Sequence, residues 1–358
     1  MKAVILAAGK ATRLRPVTLT MPKALVPVAN KTLIGYAFDV LKAAGFNDIG
    51  IVVNDLDSPI PQTLGDGHAL GINLNYILQE EQKGLAHAVN LCRNFVGTDP
   101  FCVFLGDNIF QDKMAPMFAN FLSSGAESAI ALGEVGDPTR FGIAELNPDK
   151  SIARVVEKPK EPKSNLAISG VYLFRPSIFD AIARIKPSWR NELEITDAIQ
   201  TLVNDGKRVD SYKLTGWWID AGKPESIILG NQLVLEELPY MPAPEGKDQI
   251  MGKSEVSHRV LLGKNSKVID SVIRGPAIIG DGVTIENSYI GPYTSIGDNV
   301  TIEGSEIEAS IVMKNCVIRH IAGRIDSSLL ADNAQVVATG RLPAAHRFVL
   351  AENSYVQL

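Results

Sequence analysis

From residue 1 to about 239, short apolar runs of strand length alternate with segments whose apolar residues recur at helical spacing. Ala3-Val4-Ile5-Leu6 predicts a buried strand. Leu33, Ile34, Ala37, Val40, Leu41 and Ala44 predict a helix that starts at a Thr32 cap and closes at Gly45. The alternation continues through a strand at Ile51–Val53, a helix from Leu85 to Phe95, a strand Phe101–Leu105, a helix across Met114–Leu122 and a strand Ala129–Val135. Strands separated by helices predict an α/β domain with a mainly parallel sheet covered on both faces. In such sheets ligands bind beyond the carboxyl ends of the strands, so loops that follow strands carry the chemistry.

The pattern changes after Leu238. Pro239-Tyr-Met-Pro-Ala-Pro-Glu-Gly246 cannot continue a helix and reads as a linker. Beyond it Leu262-Gly263, Ile279-Gly280 and Ile296-Gly297 recur every 17 residues, as do Val268, Ile285, Ile302 and Ile273, Ile290, Ile307. Steps of 6, 6 and 5 within each period describe a triangular coil of three short strands, one inward aliphatic residue per face, stacked into a β-solenoid. Ser271, Ser288 and Ser305 keep the same period. This segment resembles the left-handed β-helix of hexapeptide-repeat proteins. Its regularity fades after Met313, as expected of a closing cap. The expected division is residues 1–239, a linker 240–250, and a β-helix with a C-terminal cap over 251–358.

With 358 residues the chain is long enough for two domains. A net charge of −5 gives no electrostatic footprint for nucleic acid, so no such partner is expected. Cys92, Cys102 and Cys316 are odd in number and set in apolar stretches, which fits reduced thiols of a cytoplasmic protein rather than a disulfide framework. No apolar stretch reaches the ~20 residues of a bilayer span, and no membrane partner is expected.

The first loop reads Leu6-Ala7-Ala8-Gly9-Lys10-Ala11-Thr12-Arg13-Leu14-Arg15-Pro16, followed by Pro22-Lys23-Ala24-Leu25-Val26-Pro27-Val28. Small residues after a strand let backbone N–H groups approach a nucleotide, while Arg13 and Lys23 bring two fixed positive charges to a triphosphate. Asp107 follows the strand Phe101–Leu105, and Asp220 follows Trp217-Trp218-Ile219. A strand-end carboxylate stabilises a core poorly but suits Mg²⁺, which takes one or two protein carboxylates beside substrate phosphates. The side-chain amide of Gln79 offers a donor and an acceptor, a match for the imide edge of thymine or uracil. His87, on a helix behind that loop, is expected to be structural rather than catalytic.

The combined run resembles the signature of the sugar-phosphate nucleotidyltransferases, Leu-Ala-Ala-Gly-x-Gly-Thr-Arg-Leu and then Pro-Lys-x-Leu-x-Pro-Val, with Ala11 where glycine is usual. Over nearly its whole length the chain resembles the long form of the glucose-1-phosphate thymidylyltransferases, a Rossmann-like catalytic domain followed by a short left-handed β-helix. The resemblance implies transfer of a nucleotidyl group from a nucleoside triphosphate, here expected to be dTTP, to a sugar 1-phosphate, here expected to be glucose 1-phosphate. It implies Mg²⁺ on Asp107 and Asp220, and catalytic roles for Arg13, Lys23 and Lys158. Leu6, Ala8 and Gly9 would line the nucleotide, Gln79 and Gly84 the base, and Gly142, Glu157, Gly170 and Val171 the sugar side, with Asn108 a further binding residue beside Asp107. Phe141 stands where tyrosine is commoner, and Asn191-Glu192-Leu193-Glu194-Ile195-Thr196-Asp197-Ala198 matches a stretch that shapes the sugar side of the cleft. A homo-oligomer is expected. The attacking phosphate is already ionised, so neither a general base nor a covalent intermediate is required. A uridylyltransferase for glucose 1-phosphate or N-acetylglucosamine 1-phosphate is the alternative. A non-catalytic regulatory homologue is the alternative of a different class, and the presence of Arg13, Lys23, Asp107, Lys158 and Asp220 argues against it.

Overall fold

The computed structural model describes residues 1–244, 248–338 and 352–357. By contact, the chain falls into two compact units: Met1–Lys10, Pro22–Leu25 and Leu33–Asp220 in the first, Ala11–Met21, Val26–Thr32 and Ala221–Leu358 in the second. This grouping cuts the chain elsewhere than the division expected at residues 239–250. Pro239–Ala243 of the expected linker has no regular structure, and most of the expected C-terminal cap lies outside the described residues.

In chain order the elements up to the linker are β1 (Lys2–Leu6), the hairpin β2 (Pro27–Val28) and β3 (Lys31–Thr32), α1 (Leu33–Ala43), β4 (Asp48–Val53), α2 (Pro59–Leu64) and β5 (Asn73–Leu78). Then come α3 (Leu85–Leu91), α4 (Arg93–Val96), β6 (Phe101–Leu105), β7 (Asn108–Phe110), α5 (Ala115–Ser123) and β8 (Ser128–Glu134). Last are β9 (Gly142–Leu146), β10 (Ile152–Glu157), β11 (Leu166–Phe174), α6 (Ser177–Ile182), α7 (Ile195–Asn204), β12 (Val209–Lys213), β13 (Trp218–Asp220) and α8 (Pro224–Glu236). The helix expected over Leu85–Phe95 breaks into α3 and α4 at Cys92.

The first unit holds a nine-stranded sheet ordered β10-β9-β11-β6-β1-β4-β5, with β8 and β12 continuing from β11. β6, β1, β4 and β5 are parallel, in the register Leu6↔Leu105, Leu6↔Val52 and Val53↔Leu78, so all four strands end at one edge. The loops that leave this edge are residues 7–10, 54–58, 79–84 and 106–107. β9, β10 and β11 run antiparallel. A short turn joins β9 to β10, and antiparallel pairing is what short turns permit, whereas a parallel pair needs a crossover. The core is fully buried at Val4, Val52, Val89, Phe101, Ile130 and Phe174. Cys92 and Cys102 are buried free thiols, and burial pushes that of Cys92 up to about 12.

In the second unit, short strands from Ile250–Met251 to Gln335–Val337 stack into three parallel sheets of six, five and five strands, the arrangement of a left-handed β-helix. Val268, Ile285, Ile302 and Ile318 line one inner face; Ile273, Ile290 and Ile307 a second; Ile279, Ile296 and Val312 the third. The periodic serines have a mechanical role. Ser288 Oγ donates to Glu286 O at 2.6 Å and accepts from Ser305 N of the next coil at 3.2 Å, and Ser271 does the same one coil earlier. The coils do not fade after Met313 as expected. Ile302↔Ile318 narrows the spacing to 16, then Ile307↔Ile325 and Ile318↔Val336 widen it to 18, with the added residues in the corner His320–Gly323. The corner absorbs the insertion because the strands on either side of it keep their pairing.

The coil stack is tied to α8 and to the β2–β3 hairpin through one fully buried side chain. Asn231 Oδ1 accepts from Ala29 N at 2.8 Å and Ser295 Oγ at 2.6 Å, and its Nδ2 donates to Tyr293 O at 2.9 Å. Arg259 closes the carboxyl end of α8, donating to the carbonyls of Leu235, Glu236 and Leu238, where a guanidinium satisfies orphan acceptors and favours the negative end of the helix dipole.

Candidate active site

Three groups of side chains gather at the carboxyl edge of the sheet in the first unit. The first is built on β6 and on the two-stranded ribbon of β7 and β13, which pairs Asp220 with Asn108. Trp218 Nε1 donates to Asn108 Oδ1 at 2.5 Å, and Asn108 Nδ2 donates to Asp107 Oδ1 at 2.7 Å. That chain fixes the Asp107 carboxylate and leaves Oδ2 to pair with Lys23 Nζ, which also lies 3.7 Å from Asp220 Oδ1. Two carboxylates from distant parts of the sequence thus converge on one cationic atom. Among the described residues no cluster of three or more His, Cys, Asp or Glu could hold a metal. Two carboxylates that meet at one cationic atom nevertheless offer the oxygen donors that a hard divalent cation takes.

The second group lies where β10 ends beside the start of β9, with Glu157 opposite Gly142. Lys158 N donates to Phe141 O at 3.0 Å, and the Phe141 ring meets Trp218 edge-on at 5.6 Å, linking this group to the first. Gly170, at φ +87°, is a second link: a Cβ there would lie 3.0 Å from Leu105 and 3.2 Å from Asn108, in a conformation L residues avoid. Glu157 Oε1 faces Lys158 Nζ at 3.7 Å and Arg190 Nη1 at 3.6 Å, while Thr196 Oγ1 donates to Oε2 at 3.3 Å. Burial, and then the neighbouring Glu194 carboxylate, hold the Glu157 carboxyl above the usual range against the pull of Lys158, Arg190 and Thr196. Arg190 escaped the sequence reading. It reaches Glu157, Glu192 and Glu194 at once from the turn before α7, and the acidic run it precedes was its only signal.

The third group is the loop after β5. Gln79 is only 4% exposed. Its Nε2 donates to Gly84 O at 3.4 Å and meets His87 Nδ1 at 3.1 Å. Gly84 has φ 108° and ψ 173°, a region open essentially to glycine alone, and it presses on the backbone of Leu193. Leu193 N donates to Lys83 O at 2.7 Å and Ala86 N to Leu193 O at 3.0 Å, so this loop and the segment before α7 are locked together. Gln82 Nε2 donates to Ala8 O at 2.6 Å, anchoring the loop after β1. In that loop the N–H groups of Ala8, Gly9 and Lys10 donate to nothing among the described residues, an arrangement ready for an anion. Val171 begins the pairing of β11 with β6.

Arg13 belongs to the other compact unit. It lies in a short 3₁₀ turn, Thr12–Leu14, within the second unit, exposed and without a partner among the described residues. Ala11 before it adopts φ 48°, the left-handed conformation that glycine would hold without strain.

The family model for nucleotidyl transferases matches residues 2–237. A glucose-1-phosphate thymidylyltransferase of Streptomyces antibioticus is 43% identical over 359 residues, covering 100% of this chain and 99% of the relative. The low-salt glycan biosynthesis nucleotidyltransferase Agl11 of Haloferax volcanii is 43% identical over 362 residues, covering 100% of both chains. Among solved structures, one from Bacillus anthracis assigned as a glucose-1-phosphate thymidylyltransferase, in complex with a sucrose, is similar at a TM-score of 0.62 and 37% identity, covering 69% of this chain and 98% of that one. No helix among the described residues is long and apolar enough to cross a membrane. Because the family model spans well over half of the 358 residues and full-length relatives exceed 40% identity, this chain belongs to the nucleotidyl transferase family.

Proposed function

We propose that this enzyme transfers a thymidylyl group from dTTP to glucose 1-phosphate, forming dTDP-glucose and pyrophosphate. The observation that carries the reading is the match to the Streptomyces antibioticus enzyme at 43% identity through both units, not the catalytic part alone. The chemistry is in-line attack of a sugar phosphate oxygen on the α-phosphorus, and bringing two anions together is its main obstacle.

Each group has a part in this reading. The free N–H groups of Ala8, Gly9 and Lys10 receive triphosphate oxygens, and the backbone at Leu6 lies beneath the nucleotide. Lys23 exchanges its aspartate partners for the departing pyrophosphate. Lys158 and Arg190, both facing Glu157, hold the sugar phosphate, while Glu157 accepts from sugar hydroxyls. Asn108, Gly142, Gly170 and Val171 wall the sugar side, and no side chain there needs to remove a proton. Gln79 reads the base, and Gly84 N–H, without an acceptor among the described residues, serves a base carbonyl. Asp107 and Asp220 would hold Mg²⁺, which when bound neutralises phosphate charge.

The test is pyrophosphate release from a panel of nucleoside triphosphates crossed with a panel of sugar 1-phosphates. dTTP with glucose 1-phosphate is expected to give the highest kcat/KM. A preference for ATP or GTP overturns the base reading, and a preference for UTP moves the assignment to a uridylyltransferase.

A further inference from the structure

His87 has no part in the chemistry above, yet it faces the side chain assigned to the base. The hydrogens of this contact follow from the donors available. Gly84 O can only accept, so the Gln79 amide turns its NH₂ toward it. The second hydrogen on the same nitrogen then meets His87 Nδ1 at 3.1 Å, which must accept and carry its ring proton on Nε2. Both donor positions are consumed, and Gln79 Oε1 takes no hydrogen bond among the described residues. The amide therefore presents an acceptor, not the mixed edge expected from the residue type.

An acceptor suits the N3–H of thymine or uracil. It repels cytosine, whose N3 carries a lone pair. Rotating the amide half a turn would suit cytosine but would set Oε1 against Gly84 O and His87 Nδ1, two acceptors.

We propose that His87 is a positioning residue whose Nδ1, with Gly84 O, locks the Gln79 amide in the accepting orientation and thereby excludes cytosine nucleotides. The inference rests on the reading that Gln79 faces the base. The experiment uses the full-length enzyme and the pair dUTP and dCTP, which share a sugar, lack the 5-methyl group and differ only at the edge in question.

The ratio of their kcat/KM values, from pyrophosphate release, is measured in wild type, His87→Ala, His87→Asn and Gln79→Ala. In His87→Ala the dUTP preference is expected to fall about tenfold, the worth of one hydrogen bond. The fall is expected in the KM of the triphosphate, with KM for the sugar phosphate unchanged. His87→Asn, whose side-chain oxygen can stand in for Nδ1, is expected to keep the preference, which a merely structural histidine would not explain. Should His87→Ala fail to fold, His87→Leu, bulkier and lacking an acceptor, carries the same expectation. A wild-type ratio in the folded acceptor-free variant overturns the lock. If Gln79→Ala flattens the ratio in that case, the base reading survives without the lock; if Gln79→Ala also leaves it intact, the base reading falls as well.

Discussion

Replacing Gly84 by alanine strikes the joint between the base loop and the segment before α7. Its backbone lies at φ 108° and ψ 173°, where a Cβ costs about 1–3 kcal/mol. That Cβ would also fall 2.5 Å from Leu193 O and 2.7 Å from Leu193 N, backbone atoms that cannot swing away as a side chain would. The loop must move, and the bonds Leu193 N to Lys83 O and Ala86 N to Leu193 O lengthen or break, at about 1 kcal/mol each. Strain and bond loss partly replace one another, so the first unit is expected to lose about 2–4 kcal/mol. All three tryptophans, Trp189, Trp217 and Trp218, lie in that unit, so their fluorescence in a urea titration reports its unfolding. With a slope near 2–3 kcal/mol/M, the midpoint is expected to drop by about 1 M. Because Gln79 donates to Gly84 O, the kcat/KM of the triphosphate is expected to fall at urea concentrations where the variant remains folded. A midpoint within about 0.2 M of wild type, with unchanged kcat/KM, would refute the reasoning.

Asp107→Asn keeps the oxygen that accepts from Asn108, so it and Asp220→Asn are expected to stay folded by circular dichroism yet lose turnover; full activity of either variant in excess chelator refutes a carboxylate-bound metal. Asn231→Ala leaves Ala29 N–H, the Ser295 hydroxyl and the Tyr293 carbonyl without their buried partner, so the melting transition that includes the coils is expected to fall by an amount equivalent to about 3 kcal/mol or more, and an unshifted melt refutes the anchoring role. Folding raises the pKa of Glu157, so the folded state holds its proton more tightly; stability is lost as pH rises from the unfolded-state value through the folded one and is level above. Glu194→Gln removes the like charge. It is expected to move the acid limb of kcat/KM for the sugar phosphate to lower pH and to shrink that loss of stability, and coincident pH profiles for variant and wild type refute the coupling.

The strands Lys2–Leu6 and Phe101–Leu105 were legible because parallel strands buried on both faces are unbroken apolar runs. The coils were legible because one period governs core and corner alike. What escaped was set at long range. Nothing in the neighbourhood of Asp220 tells that the ribbon of β7 and β13 brings it to the ammonium that Asp107 holds. Arg190 reads as one surface arginine among others until the turn before α7 aims it at Glu157. Asn231 is one of several polar residues in α8, and only the packed structure shows why it is buried. The antiparallel half of the sheet was obscured by the helical crossovers that dominate the first hundred residues. The last coils were missed because an insertion at one corner defeats counting in seventeens while leaving every ladder intact.

That tolerance at the corners gives the coil stack the character of a graduated rod. Neighbouring coils are a strand spacing of about 4.8 Å apart, and each coil pairs in register only with the one before and the one after. The ties to α8 and the hairpin run through Arg259 and through the strip from Tyr293 to Ile296. Coils beyond that strip, toward the last strand, can therefore be duplicated or removed as whole turns, changing the rod's length in fixed increments without disturbing the joint. Evolution within such a lineage can adjust reach by copying a turn, a change far easier to accept than any insertion into the nine-stranded sheet, where each strand is committed to its neighbours.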